Sequence, residues 1–204
     1  MKKTLSFLLL LVSLLSLFAC GKAASTEKEF ARGTVSGNKY VSEFAGLTLT
    51  VPESWFFYTD DQISELSGVS AELLGDNEKL KNAMLESLID AMAVDPATGN
   101  NINFTFENLK ITTGLAMTDE KYAAAARNTL IQSYEEMGAA ITVTEPEEFA
   151  IGGTAYRKIV ADVTLNGTAL RQACYIRKIG GWALSIAVTS MDGTDFGVFE
   201  AMFS

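Results

Sequence analysis

The chain has 204 residues, of which 25 are acidic, 16 are basic and none is histidine. The acidic excess argues against binding to nucleic acid and against adsorption to anionic lipid, because both need basic patches. The lack of histidine excludes Ser-His-Asp and Cys-His catalysis and histidine-ligated zinc, which leaves carboxylates and lysine as the possible acid–base groups.

The N-terminus has the features of a secretion signal that ends in a lipidated cysteine. Lys2 and Lys3 precede an apolar run from Leu5 to Phe18, and a run of about 14 residues is too short to cross a bilayer of roughly 30 Å as a helix. Leu17-Phe18-Ala19-Cys20 then matches a bacterial lipobox, apart from the bulky Phe18. We therefore predict a lipoprotein signal peptide over residues 1–19 and a lipid on Cys20. The alternative is an ordinary signal peptide followed by a chance cysteine.

Residues 20–38 are predicted to be the lipidated cysteine and a flexible tether, because residues 21–38 are small, polar and without periodicity. A coil of about 18 residues has an r.m.s. reach of roughly 23 Å, which would keep the folded part close to the membrane. Removal of the signal leaves 14 basic and 25 acidic residues, a formal charge of −11. The remaining length is enough for one domain, residues 39–204. With Cys20 acylated, Cys174 would be the only thiol, so no intramolecular disulfide is expected.

The first half of the predicted domain contains strands and short helices. Strands are predicted over residues 40–44 and 47–51, the second of which alternates apolar and polar residues and ends at Pro52. One short helix follows Asp60 or Asp61 and ends at Gly68, and a second covers about residues 70–85. Strands over residues 88–94 and 102–106 flank a turn and predict a β-hairpin.

The second half is predicted to be a long helix followed by an antiparallel meander. The helix runs from Asp119 to Met137 with Thr118 as its N-cap and one apolar stripe. Four strands follow, over residues 141–151, 155–165, 169–177 and 182–189, and Asn166-Gly167 is typical of a type I′ hairpin turn. The last strand carries large apolar residues on one face and small residues on the other, which suggests that both faces are covered. Thr194 is the expected cap of a short terminal helix.

These elements predict an α+β fold. An antiparallel sheet made of the N-terminal strand, the hairpin and the C-terminal four-stranded meander is expected to pack with the helices in a layered sandwich.

A family resemblance rests on the segment Leu49-Thr-Val-Pro52-Glu-Ser-Trp55 and on the order of elements that follows it. This pattern resembles the PsbP/Mog1-like fold. It is also similar to small uncharacterised lipoproteins of Clostridia-type Gram-positive bacteria, which share the Pro-Glu-x-Trp segment and a hairpin like residues 93–103. The resemblance implies a layered α+β sandwich and favours partner binding over catalysis. It implies no functional residues.

Two groups of side chains are candidates for a binding surface. Trp55, Phe56, Phe57 and Tyr58 form an aromatic run that cannot all point inward, so one or two rings are expected to be exposed and able to anchor a partner, a glycan or the membrane interface. The alternative is that the rings pack beneath neighbouring helices. Arg171 and Arg177 share one face of a strand and could hold an anionic ligand, although a sheet edge or a salt-bridged face explains them equally well.

The other chemical groups give no catalytic or cofactor site. Adjacent acidic pairs point in divergent directions, no calcium-loop pattern occurs, and Asp192-Gly-Thr-Asp195 is more simply a turn and a helix cap. No Gly-x-Gly-x-x-Gly or Gly-Lys-Ser/Thr sequence supports nucleotide binding. Cys174 is expected to be a buried hydrophobe rather than a nucleophile. The sequence therefore predicts no metal and no cofactor.

Three functions remain open. The leading hypothesis is a lipid-anchored, extracytoplasmic binding or scaffolding module without catalytic activity, with an envelope protein as its partner. The second is a receptor for a small apolar ligand, which requires a cavity of several hundred Å³ between sheet and helix. The third is an envelope hydrolase that uses two converging carboxylates.

Overall fold

We describe the fold from a computed structural model, which describes residues 29–67, 74–76, 87–110 and 116–204. The signal peptide, Cys20 and most of the helix predicted over residues 70–85 lie outside the described residues. Three helices are described: α1 (Asp60–Ser67), α2 (Asp119–Glu136) and α3 (Phe196–Glu200). The strands are β1 (Thr34–Ser36), β2 (Lys39–Ser42), β3 (Leu47–Thr50), β4 (Phe56–Phe57), β5 (Ser87–Val94), β6 (Asn101–Asn108), β7 (Ala140–Val143), β8 (Glu147–Ile151), β9 (Thr154–Leu165), β10 (Thr168–Ile179) and β11 (Trp182–Ser190).

The main sheet has eight antiparallel strands in the order β4-β5-β6-β11-β10-β9-β7, and β8 also pairs with β9. The predicted hairpin is confirmed as the pair β5–β6. The predicted meander is confirmed in the order β11-β10-β9, and Asn166 and Gly167 both have positive φ, as a type I′ turn requires. The strand predicted over residues 141–151 is two strands, β7 and β8, because Pro146 between them has no N–H to donate to the ladder.

A second, three-stranded sheet forms from β1, β2 and β3. The N-terminal strand was predicted to join the main sheet; instead, β2 and β3 pair with each other and with β1. The open edge of β3 is covered by the C-terminal residues, because the Thr48 N–H donates to the Ser204 carbonyl (2.8 Å) and the Ser204 N–H donates back to Thr48 (3.0 Å). The α+β class with antiparallel sheets is confirmed.

The predicted tether is too long at its C-terminal end, because residues 29–38 belong to the fold. Phe30 is only 6% exposed; its ring stacks on Trp182 at 4.2 Å and meets the edges of Phe44 and Phe106 at 5.2 and 5.1 Å. β1 follows directly and pairs with β2. The segment was predicted to be a tether because most of its residues are polar, but Phe30 is buried in the core. The folded domain therefore starts near Phe30 rather than at residue 39.

The two faces of the main sheet carry different cores. One face packs against the small sheet, where Tyr40 and Leu49 meet Phe104 and Leu184 in a large apolar cluster. The opposite face packs against α2, where Ala123 meets Ile159 and neighbouring side chains in two smaller clusters. Both faces of β11 are therefore covered, as its alternating large and small residues predicted.

Helix α2 begins as predicted and ends with one difference. The Thr118 hydroxyl accepts from the Lys121 N–H at the N-terminus, and Gly138 has positive φ just beyond the C-terminus. Ala123 is the fully buried contact of the helix, whereas Met137, predicted to lie on the apolar stripe, is 55% exposed. Met137 follows the last helical residue, Glu136, so its side chain does not continue the apolar stripe that faces the sheet.

The other two described helices use caps next to the predicted ones. At α1 the Gln62 N–H donates to the Thr59 hydroxyl and the Thr59 N–H donates to the Gln62 side chain, a capping box. At α3 the cap is Asp195, which accepts from the Gly197 N–H at 2.8 Å. Thr194, the predicted cap, belongs to the preceding turn, where its N–H donates to Asp192.

Candidate functional site

A cleft of about 390 Å³ lies between α2 and the main sheet. Its helix side runs from Tyr122 to Ser133, and its floor crosses strands β6, β11, β10 and β9. Most of the lining is apolar. The lining residues are Glu107, Met117, Tyr122, Ala125, Ala126, Thr129, Leu130, Ser133, Ile159, Cys174, Ile176 and Ser185.

The cleft exists because small residues face each other across it. Ala125 and Ala126 line it from α2, and Ser185 lines it from β11, where Ala183 and Ala187 share the same face. The helix packs mainly against β7, β9 and β10, and on β11 Ala187 joins the cluster around Ala123. Small side chains on two opposed walls leave a gap where larger ones would interdigitate. The second predicted function required such a cavity and expected phenylalanine, methionine and leucine to line it; Met117 and Leu130 line this cleft, and its lining includes no phenylalanine.

The helix side of the cleft is less polar than its composition suggests. The hydroxyl of Thr129 donates to the Ala125 carbonyl at 3.2 Å, and the hydroxyl of Ser133 donates to the Thr129 carbonyl at 2.8 Å. Both hydroxyl protons are therefore used inside the helix. The helix side therefore has no hydroxyl proton left to donate from Thr129 or Ser133, although both oxygens can still accept a hydrogen bond.

The opposite side of the cleft carries its polar groups. The Tyr122 hydroxyl donates to the Glu107 carboxylate; burial raises the pKa of Tyr122, and the carboxylate raises it further. Ser185 lines the cleft and its hydroxyl makes no hydrogen bond to the described residues. Ser185 therefore offers a hydroxyl group beside an apolar groove, and the Glu107 carboxylate at its edge is engaged by Tyr122.

Cys174 lies on the floor of this cleft, pairs across the strands with Ile159, and is buried. Burial raises the pKa of its thiol to about 12. The group is protonated at neutral pH and has no activating base among the described residues, since its described neighbours in the cluster are apolar. It has the character of the buried hydrophobe that was predicted.

The aromatic run that was predicted as a binding surface divides between the core and the surface. Trp55 is buried and meets Phe199 edge-on at 6.1 Å. Phe56 is 42% exposed and stacks on the half-buried Tyr58 at 5.8 Å, and Phe57 is half-buried. Phe56 also lines a shallow groove with Val35 of β1. One ring is thus exposed, within the range of one or two that was expected.

Arg171 and Arg177 share a face of β10, as predicted, and both already have partners. Arg171 Nε lies 2.8 Å from Asp162 Oδ1 on the neighbouring strand, in a pair that is 45% and 62% exposed. Arg177 Nη1 donates to the Ala45 carbonyl at 3.2 Å. The structure does not bring the two guanidinium groups to a common vacant site, which favours the salt-bridged alternative over an anion site.

A buried ionic network was not foreseen. Arg32 Nε lies 3.0 Å from Asp90 Oδ1, with side chains 11% and 0% exposed. The Tyr40 hydroxyl and the Gly33 N–H donate to the other Asp90 oxygen at 2.5 and 2.9 Å. Burial raises the pKa of Asp90, and the hydrogen bonds from Tyr40, Gly33 and Arg32 oppose that shift. The network fixes the N-terminal segment to β5. In the sequence, the only indication of this network was one aspartate, Asp90, within the otherwise apolar strand 88–94.

Asp192, the acidic residue considered as a possible metal ligand, is engaged in a turn. The Asp192 carboxylate accepts from the Thr194 N–H and from Asn100 Nδ2, each at 3.0 Å, and hydrogen bonds lower its pKa to about 2. This confirms the interpretation of Asp192 as a turn residue. Within the described residues, no group of three His, Cys, Asp or Glu side chains could hold a metal ion.

The described helices do not provide a membrane span, since none of them is long and apolar enough to cross a bilayer.

Similarity to known proteins is found at the level of structure. No family model and no curated protein sequence matches the chain. The solution structure of cyanobacterial PsbP (CyanoP) from Synechocystis sp. PCC 6803 is similar, with a TM-score of 0.51, 13% identity, and coverage of 91% of this chain and 96% of that one. At this identity the similarity shows a PsbP-like fold, as the resemblance predicted, and nothing about function.

Two further structures have lower scores. LpqN of Mycobacterium tuberculosis, which is involved in cell envelope biogenesis, has a TM-score of 0.44 and 12% identity over 78% of this chain and 82% of its own. A crystal structure from Bacteroides thetaiotaomicron has a TM-score of 0.42 and 14% identity over 83% of this chain and 48% of its own.

Proposed function

We propose that this chain is a lipid-anchored, extracytoplasmic protein of the bacterial cell envelope that acts as a non-catalytic binding module. The observation that carries the proposal is the lipobox Leu17-Phe18-Ala19-Cys20 at the end of a short apolar run. A folded domain begins only ten residues beyond Cys20, at Phe30. This arrangement suits a domain that works close to the membrane surface, and it fits the resemblance to small lipoproteins.

The roles of the buried ionisable groups support a binding function rather than a catalytic one. Asp90 is bound by Arg32, Gly33 and Tyr40, and it is not among the residues that line the cleft. Lys158 Nζ lies 2.8 Å from Glu200 Oε1, a pair that ties α3 to β9. Groups that hold elements together in this way are unsuited to exchange protons with a substrate.

Cys20 provides the decisive test of anchoring. We expect the wild-type chain, expressed in a bacterium with lipoprotein processing, to incorporate a radiolabelled fatty acid and to fractionate with membranes. Cys20→Ala should lose the label and the membrane retention, whereas the matched control Cys174→Ala should keep both. Retention of the label in Cys20→Ala would refute the anchor.

The binding role requires a separate test, because an anchored protein need not have a partner. Chemical cross-linking in native membranes, followed by capture of the chain, should enrich an envelope component reproducibly. Phe56→Ser removes the exposed ring of the aromatic run and tests whether that surface contributes, with Val198→Ser, an exposed apolar residue on α3, as the control. Repeated failure to enrich any component with the wild-type chain would count against the proposal.

The cleft favours a second candidate function, a receptor for a small apolar ligand. Its volume of about 390 Å³ lies within the range of pockets that hold small molecules, about 300–1,000 Å³. Native mass spectrometry of the protein purified from its own membranes without detergent exchange tests this candidate. A bound small molecule that disappears on unfolding supports it, and a ligand-free mass under the same conditions opposes it.

A further inference from the structure

We propose that the cleft between α2 and the main sheet binds a neutral, largely apolar small molecule whose hydroxyl group donates a hydrogen bond to Ser185. This inference rests on the second candidate function, because it names the class of ligand that a receptor with this cleft would take. The size of the cleft, the charge of its lining and the state of its hydroxyl groups each restrict that class.

The volume of the cleft limits the size of the ligand. An apolar cavity of about 150 Å³ holds one benzene molecule. The cleft has a volume of about 390 Å³, which is roughly two and a half times as much space. A molecule with two or three fused rings, or with as many carbon atoms in another arrangement, therefore fits. A two-chain lipid would extend far beyond the cleft.

The lining of the cleft favours an uncharged ligand. Leu130, Ile159 and Ile176 present alkyl groups to it, and no lysine or arginine is among its lining residues. Glu107 is the charged residue of the lining, and its carboxylate is already engaged by the Tyr122 hydroxyl. Moving an ionised group from water to such surroundings is unfavourable unless a partner of opposite charge is available. A neutral molecule avoids that penalty.

The hydroxyl groups of the cleft can accept hydrogen bonds but have few protons to donate. Thr129 and Ser133 use their protons on carbonyl groups of α2, so only their oxygens are available. The Tyr122 proton is used on Glu107. The Ser185 hydroxyl differs from these three, since it makes no hydrogen bond to the described residues. A ligand that brings its own hydroxyl proton therefore matches the cleft, and Ser185 is its partner.

The size requirement can be tested by equilibrium dialysis on the mature chain carrying Cys20→Ser, which cannot be acylated at that position. The probes are phenol, naphthol and phenanthrol, which are neutral at neutral pH and add one fused ring at a time. Affinity should rise about fivefold with each added ring, because each ring buries more apolar surface. Affinity that does not rise with the number of rings would overturn the assignment of an apolar site.

Two exposed positions on α2 provide a matched test of location. Thr129 lines the cleft and its neighbour Asn128 does not. Thr129→Trp should reduce the affinity for naphthol at least tenfold, whereas Asn128→Trp should leave it unchanged. Ala125→Phe, at another lining position, is a second blocking variant if Thr129→Trp lowers the melting temperature. Equal affinity in the blocking and control variants would place the ligand elsewhere and refute the inference.

The role of Ser185 is tested by one deletion measured with three ligands. Ser185→Ala should weaken the binding of naphthol about threefold to tenfold, the usual range for one hydrogen bond. It should leave naphthalene, which has no hydroxyl, and methoxynaphthalene, which cannot donate, unchanged. An equal loss with methoxynaphthalene would show that Ser185 donates to the ligand and would overturn the donor assignment. An equal loss with naphthalene would show that the deletion acts through packing and would overturn it as well.

The charge requirement is tested with naphthoate, which should bind at least about tenfold more weakly than naphthol; equal binding would refute a preference for neutral ligands. Failure of every neutral probe to bind would refute the whole inference, while the fatty-acid labelling of Cys20 would be unaffected. A ligand-free mass of the protein from its own membranes would oppose the receptor function even if naphthol bound in the cleft. The failures are therefore distinguishable.

Discussion

Replacing Phe30 with alanine tests whether residues 29–38 are part of the fold. The ring is 6% exposed and contacts Trp182, Phe44 and Phe106 at centroid distances of 4.2–5.2 Å. Truncation of a buried phenylalanine costs about 3–5 kcal/mol. Phe30 lies near the end of the described chain, where neighbours can relax into the space, so we expect the lower value. The free energy of unfolding should fall by about 3 kcal/mol.

Urea unfolding followed by tryptophan fluorescence measures this loss, since Trp182 stacks directly on Phe30. With a slope of about 2 kcal/mol per molar urea, the midpoint should fall by about 1.5 M. Phe56→Ala is the matched control, because its ring is 42% exposed and a surface truncation changes stability by about 0.5 kcal/mol. If Phe30→Ala shifts the midpoint no more than Phe56→Ala does, the segment behaves as a tether and our reasoning is wrong.

Three further predictions concern the ionic groups and the thiol. Arg32→Met leaves the buried Asp90 without its cation and should lower the free energy of unfolding by about 3 kcal/mol. Arg171→Met breaks an exposed pair and should lower it by less than about 1 kcal/mol in the same urea assay. Equal losses in the two variants would contradict the argument from burial. The pKa of Asp192 is lowered from 3.8 to about 2, so its ionised form stabilises the fold above about pH 4 and that contribution is lost as pH falls through 2. The difference in melting temperature between wild type and Asp192→Asn should therefore shrink between pH 4 and 2, and a constant difference would oppose this. With its pKa raised to about 12, Cys174 should react with a disulfide reagent at pH 8 about a thousandfold more slowly in the folded chain than in urea, and equal rates would show that the thiol is accessible.

Much of the fold followed from local pattern. Turns such as Asn166-Gly167 and caps such as Thr118 are decided by the conformations of a few residues, so their positions could be predicted. The partition into two sheets could not, because strand partners are chosen by long-range packing that alternation does not encode. The start of the domain was missed for a related reason: Phe30 is a single apolar residue in a polar segment, and its burial depends on rings more than a dozen residues away.

The candidate site was predicted only in outline. A cavity between sheet and helix was one of the predicted functions' requirements. Its position depends on where small side chains of the helix and of the sheet face each other and leave space unfilled. The alanines of α2 and the small residues of β11 are 57 or more positions apart, and no sequence pattern shows that they face each other. The aromatic and arginine candidates were visible as residue types, yet Trp55 lies in the core and Arg171 pairs with Asp162. The sequence shows that these residue types are present, but it does not show which side chains they contact in the folded protein.

The anchoring of the N-terminal segment also decides where mechanical force enters the domain. If Cys20 is held in a membrane, any drag on the protein pulls on the chain at Glu29 and is transmitted first to Phe30 and Arg32. Their contacts lie in the interior, where the ring of Phe30 meets the main sheet and the guanidinium of Arg32 meets Asp90 on β5. The load therefore passes straight into the eight-stranded sheet, and the three-residue strand β1, which would otherwise peel away one hydrogen bond at a time, is shielded from it.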